Sequence, residues 1–251
     1  MEEDVENFIK NCQVIVIAGG QGSRLSHITN NAPKALIEIN RKTLLEYCLE
    51  LFSNAGFSDF IFLLGKGGEI IQEFILEKNL APNSKFFIET ERLGKGGALK
   101  NAITSGLINR SKPSLIVFPD DLFLDSELPL RLAERHLNGL KKGCKSTVLV
   151  TNQFKCDFGI AEIRNGLVCS FEEKPYINRF VNTGIFVFEP EIYELIENLI
   201  DMEKVPVEFE SVVAPEMAKR NWIYSFQIPF ERWIPINDEK GLKRATELLS
   251  K

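Results

Sequence analysis

The chain has 251 residues, 44% of them hydrophobic and 26% charged, with a formal net charge of -5. That balance suits one globular domain with a sizeable core and argues against bulk nucleic-acid binding, which needs a basic field. The five cysteines, Cys12, Cys48, Cys144, Cys156 and Cys169, form no CxxC pair, and no signal-peptide core or membrane-length apolar run occurs. Neither a disulfide scaffold nor structural zinc is therefore expected, and the expected location is cytoplasmic, with no membrane partner.

In chain order, Val14–Ala18 reads as a buried strand running into the glycine cluster Gly19-Gly20-Gln21-Gly22. Thr43 to Ala55 reads as a helix, with Thr43 and Glu46 as a capping box and Gly56 as its stop. Asp59–Leu64 is a second strand, Glu69–Lys78 a second helix and Lys85–Ile88 a short strand. Gly65 to Gly68 reads as a turn between strand and helix. A third helix over Gly97–Gly106 precedes the apolar strand Ser114–Phe118, which ends at Pro119-Asp120-Asp121. Pro129–Leu140 reads as a surface helix carrying His136. The second half adds strands over Thr147–Val150, Ile160–Ile163, Leu167–Phe171 and Thr183–Phe188, with Asn165-Gly166 as a hairpin turn. Helices are expected over Glu191–Ile200, Glu208–Lys219 and Gly241–Leu249.

Continuous apolar strands between amphipathic helices indicate βαβ units: an α/β fold, Rossmann-like, with a mainly parallel mixed sheet flanked by helices. No linker divides the chain, so residues 1–251 read as one domain whose second half extends the same sheet and walls a cleft. Ligands of such sheets sit at the carboxyl ends of the strands. The loop after Ala18 and the aspartates after Phe118 both lie at such ends and can face one site.

The glycine loop lacks the GK[ST] end of a nucleotide-hydrolysing P-loop, and Leu25 stands where a dinucleotide fingerprint needs its third glycine. A GGxG turn by itself serves equally well to reverse the chain. The residues after the turn are more informative: Arg24 comes two residues after Gly22, and Pro33-Lys34 begins nine residues after Arg24. Backbone N–H groups of the loop can approach a triphosphate, the Arg24 fork can hold its β and γ oxygens, and Lys34 adds a second cation. That set suits an enzyme that expels pyrophosphate.

The segment AGGQGSRLSHITNNAPKALIEI resembles the GGxGxRL…T…PK signature of the sugar-1-phosphate nucleotidyltransferases through Gly19, Gly20, Gly22, Arg24, Leu25, Thr29, Pro33 and Lys34. The resemblance runs from about Cys12 to the last helix. It implies a nucleotide-binding half over about 12–125, with Ala18, Gly19, Gly20, Gly22, Ser23, Gly94 and Gly97 at the nucleotide. It also implies a sugar-phosphate half over about 145–240. There Gly159, Glu173, Lys174, Asn182 and Thr183 would meet the sugar phosphate, through elements similar to the family's (Y/F)G(V/I), EKP and N-x-G. Asp120, with Asp121 next in line, matches the family's metal-binding aspartate, so Mg2+ is the implied cofactor. The family's second metal ligand comes from a W-x-D-x-G-T element, but here Pro235 occupies that position, leaving Asn237 or Asp238 to replace it; Asp238 is the expected second ligand, although it also suits a helix N-cap. In the LGTAGAL-type stretch Lys95 and Gly96 are departures. The length leaves no room for the left-handed β-helix domain that some members append, so a core alone is expected.

The implied reaction joins an NTP to a sugar 1-phosphate, giving an NDP-sugar and pyrophosphate by in-line attack on the α-phosphorus. Arg24, Lys34, Asp120 and Lys174 would be its catalytic residues. The acceptor is already ionised at neutral pH, so no general base is needed, in keeping with only two histidines, His27 and His136. Two other readings share the motifs: a cytidylyltransferase for a phospho-alcohol such as choline phosphate, and a non-catalytic nucleotide-sugar sensor. Base, sugar and any homo-oligomer have no signature in the sequence. Replacing Arg24 by Ala should lower pyrophosphate-releasing turnover about a hundredfold or more, the scale of one lost transition-state charge contact; near-normal steady-state rates would remove Arg24 from the chemistry.

Overall fold

A computed structural model describes residues 2–20 and 32–250. Arg24, Gly22, Ser23, Thr29 and His27 lie outside the described residues. In chain order the elements begin with α1 (Glu2–Asn11), β1 (Gln13–Ala18), a single 3-10 turn (Lys34–Leu36), β2 (Glu38–Ile39), β3 (Lys42–Thr43) and α2 (Leu44–Ser53). There follow β4 (Asp59–Leu64), α3 (Glu69–Glu77), β5 (Lys85–Ile88), α4 (Gly94–Thr104), β6 (Ser114–Val117), β7 (Asp121–Phe123) and α5 (Leu128–Leu140). The second half contributes β8 (Ser146–Thr151), β9 (Phe154–Lys155), β10 (Ile160–Arg164), β11 (Leu167–Glu172), β12 (Tyr176–Ile177) and β13 (Val181–Phe188). It closes with α6 (Glu191–Leu199), α7 (Phe209–Lys219), β14 (Ile223–Ile228), β15 (Trp233–Pro235) and α8 (Glu239–Leu249).

Seven strands form the central sheet in the order β14-β8-β13-β6-β1-β4-β5. The pairs of β1 with β4, β1 with β6, β4 with β5 and β8 with β14 are parallel, and β13 runs antiparallel to both its neighbours. The fold is thus the expected Rossmann-like, mainly parallel mixed sheet with flanking helices, and both halves of the chain contribute strands to it. Its centre explains the unbroken apolar run of β1. Val14 and Val16 pack into a core with α2, α3 and α5, while Ile15 and Ile17 pack into a second core with α4, α6 and α7. A strand covered on both faces has no use for polar alternation.

Local signals that depend on chain-neighbour geometry hold. The Thr43–Glu46 capping box is complete, and Asn165 and Gly166 both take positive φ, 50° and 81°, as the two-residue hairpin turn requires. Other expectations are corrected. His136 is buried, because α5 lies against β8: its ring nitrogens sit 3.0 Å from Thr147 Oγ1 and 2.9 Å from Glu189 Oε1. The acidic N-terminal segment is an amphipathic helix that sinks Phe8 and Ile9 into the core. α4 starts at Gly94 instead of Gly97, and β7, β14 and β15 are strands beyond those expected from the apolar pattern.

The first residue of α4 has to be glycine. Gly94 has φ +72°, and a Cβ there would lie 2.6 Å from the backbone of Val207, whose N–H donates to Leu93 O at 2.9 Å. Gly94→Ala should therefore destabilise the fold by about 2 kcal/mol or more, from the left-handed backbone and the clash together, read as a lower midpoint in urea unfolding.

Candidate functional site

The carboxyl ends of the central strands open into a cavity of about 600 Å3. Gly19 and Gly20 leave β1 at its wall, and Gly65 leaves β4 beside them. A Cβ on Gly65 would lie 2.6 Å from Gly19 O, so the two strand ends approach as closely as they do only because residue 65 is glycine. Opposite them, Pro33 directs Lys34 into a 3-10 turn. The Lys34 ammonium donates to Asp120 Oδ2 at 2.9 Å and to Asn237 Oδ1 at 3.1 Å. The Lys34 side chain is 11% exposed and that of Asp120 is 39% exposed. The lysine is therefore held within the wall while the carboxylate still faces the cavity.

The neighbouring aspartate does something else. Asp121 opens β7, which pairs antiparallel with β15 so that Pro235 lies opposite Asp121. The Trp233 indole N–H donates to Asp121 Oδ2 at 2.8 Å. Burial, and then the adjacent Asp120 carboxylate, push the Asp121 carboxyl up to about 7, against the opposing pull of the indole hydrogen bond and Lys34. Asp121 thus ties the C-terminal strand to the cavity floor. The same pairing carries Asn237 to Lys34, whereas Asp238 turns away: its carboxylate accepts the Gly241 N–H at 2.9 Å as the N-cap of α8. Of the two residues that could follow Pro235 into the site, the structure brings in Asn237.

Among the other residues expected at the site, Ala18, Gly94, Asn182 and Thr183 line the cavity. Thr183 is buried and its hydroxyl donates to Leu149 O at 3.0 Å, while Asn182 Oδ1 accepts the Gly184 N–H at 2.8 Å. Gly97 lies inside α4, where a Cβ would press on Leu93 and Val205, each about 3 Å away; it allows close helix packing and does not line the cavity. Gly159, Glu173 and Lys174 are brought together beyond the cavity wall. A Cβ on Gly159 would lie 3.0 Å from Glu173 Oε2, and Lys174 Nζ is 3.6 Å from Glu173 Oε1. Lys95 does reach the cavity but is engaged by Glu210 and, at 3.6 Å, by Glu208, with its ammonium 5.1 Å from the centre of the Phe118 ring.

Glu89 also lines the cavity, and sequence reasoning passed over it. It directly follows β5, its N–H continues the sheet by donating to Leu64 O at 2.8 Å, and it is only 8% exposed. Burial raises its carboxyl above the usual range, while the Leu93 N–H, at a long 3.4 Å, and the Arg92 charge act the other way. Its one signal in the sequence is its place at the carboxyl end of a strand, like that of Gly19; its burial is not legible there. Glu208 and Glu210 were passed over too, because nothing in their local pattern separates them from a solvated helix start.

A family model described as Nucleotidyl transferase matches residues 13–247. The chain is 26% identical over 240 residues to a mannose-1-phosphate guanyltransferase of Saccharomyces cerevisiae, covering 93% of this chain and 63% of that protein. It is 29% identical over 234 residues to the mannose-1-phosphate guanylyltransferase catalytic subunit beta of Drosophila melanogaster, covering 91% and 60% respectively. The chain thus spans less than two thirds of the length of the curated relatives it matches. Among solved structures, that of HddC from Yersinia pseudotuberculosis complexed with GMP-PN superposes with a TM-score of 0.67 at 22% identity, over 95% of this chain and 99% of that one.

The division between Asn237 and Asp238 is open to measurement. Asp238→Ala should cost about 1 kcal/mol of unfolding free energy in denaturant titration, the usual cost of a lost N-cap; an unchanged midpoint would show that the cap is not what this carboxylate contributes.

Proposed function

We propose that this chain, which belongs to the nucleotidyl transferase family, joins a nucleoside triphosphate to a sugar 1-phosphate, releasing pyrophosphate and forming an NDP-sugar. The observation that carries this reading is the Lys34–Asp120–Asn237 cluster, set across one cavity from the Gly19-Gly20 turn. A fixed ammonium at the edge of a glycine loop suits a polyphosphate, and the carboxylate and amide oxygen beside it suit the cation that accompanies one; such transfer depends on position and charge. A phosphate oxygen of the sugar 1-phosphate attacks the α-phosphorus. Lys34 and, by its motif, Arg24 steady the departing pyrophosphate. Asn182 and the Gly159–Glu173–Lys174 group receive the sugar phosphate.

The donors also fit a divalent metal. Among the described residues no three His, Cys, Asp or Glu side chains gather as ligands. Magnesium needs only one or two protein oxygens, however, taking the rest from phosphates and water. Asp120 Oδ2 and Asn237 Oδ1, both already directed at one cation, would hold it. Bound there, magnesium would supply charge neutralisation between the two phosphate groups.

Glu89 favours guanine as the base. An ionised carboxylate only accepts hydrogen bonds. Guanine presents two adjacent donors, N1–H and the 2-amino group, to such a pair of oxygens. Uracil and thymine flank their one N–H with carbonyls, and cytosine and adenine place a ring acceptor beside their amino group. The relatives named as mannose-1-phosphate guanyltransferases support GTP and make mannose 1-phosphate the first acceptor to try. They also favour this reading over the choline-phosphate and sensor alternatives.

A matrix of NTPs against sugar 1-phosphates with magnesium, read by pyrophosphate release, tests the proposal; no turnover in any cell would sink it. Within that matrix Glu89→Gln should lower kcat/KM for GTP about tenfold or more and shift the balance towards UTP. Losing one bidentate base contact is worth about 1–3 kcal/mol of discrimination. An unchanged GTP-to-UTP ratio would remove Glu89 from base recognition.

A further inference from the structure

Among the described residues three cations line the cavity: Lys34, Arg92 and Lys95. Two of them are engaged. Asp120 and Asn237 hold Lys34, and Glu210 and Glu208 hold Lys95. Arg92 has no hydrogen-bond or ion-pair partner among the described residues, and residues 21–31 contain no Asp or Glu that could pair with it. A guanidinium carries five N–H donors and no acceptor. In a cavity wall and without a carboxylate of its own, this one is available to a ligand.

Its place in the chain fixes what it stands beside. Glu89 directly follows β5 and Leu93 directly precedes α4, so Arg92 lies in the short turn between them. The Leu93 N–H donates to Glu89 Oε2 at 3.4 Å, and Leu93 O accepts the Val207 N–H at 2.9 Å. The turn is therefore anchored immediately after Arg92. The other Glu89 oxygen, Oε1, faces the glycine loop, 3.8 Å from the Cβ position of Gly19. The Arg92 charge is felt by the Glu89 carboxyl, opposing the effect of its burial, but the two side chains form no ion pair. One turn thus offers the cavity an acceptor and a donor that are near each other and not consumed by each other.

That order matches the edge of guanine. Round its rim two donors, the 2-amino group and N1–H, are followed at once by an acceptor, O6. Glu89 uses the donors and leaves O6 without a partner. We propose that Arg92 completes the base site: its guanidinium donates to guanine O6 while Glu89 accepts from N1–H and the 2-amino group. The assignment rests on the guanine reading of Glu89 and adds selection at position 6. Arginine to guanine O6 is a recurrent pairing. Adenine puts an amino group at the same place, so donor would meet donor, and rejection of this kind sharpens specificity as much as attraction does. A phosphate is the other ligand a cavity arginine can hold. Here the nearest neighbour in the turn is a buried carboxylate, which would repel a phosphate set beside it, whereas guanine needs both signs of charge together.

Titration calorimetry with magnesium reads base selection without requiring turnover. The intact chain should bind GTP about tenfold or more tightly than 6-thio-GTP, in which the weak acceptor sulfur replaces O6 and both donors remain. It should also prefer GTP to ITP, which lacks the 2-amino group. Arg92→Met should bring the GTP to 6-thio-GTP ratio close to one and keep the preference over ITP; Glu89→Gln should do the reverse. An unchanged 6-thio-GTP ratio in Arg92→Met overturns the assignment and leaves the proposed reaction standing. An equal loss for GTP, 6-thio-GTP and UTP makes Arg92 a phosphate contact and overturns it as well. Should Arg92→Met fail to fold, the parent chain decides: equal affinity for GTP and 6-thio-GTP overturns the assignment. Arg92-dependent preference for GTP in a chain that turns over no substrate pair would sink the reaction and support the assignment.

Discussion

The Lys34 ammonium is the point on which the site depends. Its two partners stand 86 and 203 residues away in sequence, so three separate stretches of chain meet at one nitrogen. The ion pair with Asp120 is partly open to solvent on the carboxylate side, and pairs of that kind contribute only about 0–1 kcal/mol to stability. Its value lies in placement. A lysine free in water must lose side-chain freedom whenever it meets a phosphate. This one is already held at the cavity wall by the carboxylate and the amide oxygen, so little of that freedom is left to lose at the moment of binding.

Lys34 is fixed in turn by the way the chain end is stitched beneath the cavity. β15 pairs with β7, Trp233 donates to Asp121, and Ile234 and Ile236 enter a small core with Ile37, Leu44 and Leu122. Asp120 and Asp121 are neighbours in sequence with opposite duties. One keeps its carboxylate towards the cavity, and the other uses its own to hold the last strand. The raised Asp121 carboxyl is the electrostatic consequence of placing two acids side by side, one of them largely withdrawn from water.

The cavity and the hairpin divide the second half of the chain. β8, β13 and β14 extend the central sheet and bring Asn182 to the cavity wall, while β10 and β11 leave the sheet and carry their apolar face into solvent. Gly159, Glu173 and Lys174 lie at the root of that hairpin, assembled with one another but not with Lys34. On the proposed reading the nucleotide is held at the ends of the central strands, while the acceptor is met both by Asn182 of β13 and by residues at the root of the small hairpin sheet.

Much was legible in the sequence because it depends on near neighbours. The buried strands, the Thr43 capping box, the Asn165-Gly166 turn and the clustering of loops at the strands' carboxyl ends follow from residue type and short-range period. The family motif likewise names Lys34 and Asp120, which the fold then brings together. Tertiary structure alone decided the rest. Helical periodicity leaves His136 on a surface because it takes no account of the strand that covers the helix. Asn237 and Asp238 differ by one position, and only the pairing of β15 with β7 determines which reaches Lys34 and which caps α8. Glu89 reads as one more charged residue after a strand until the folded sheet buries it in the cavity wall. A sequence records the chemistry each side chain can offer, but burial and long-range pairing, which turn that chemistry into a site, are set by residues far away along the chain.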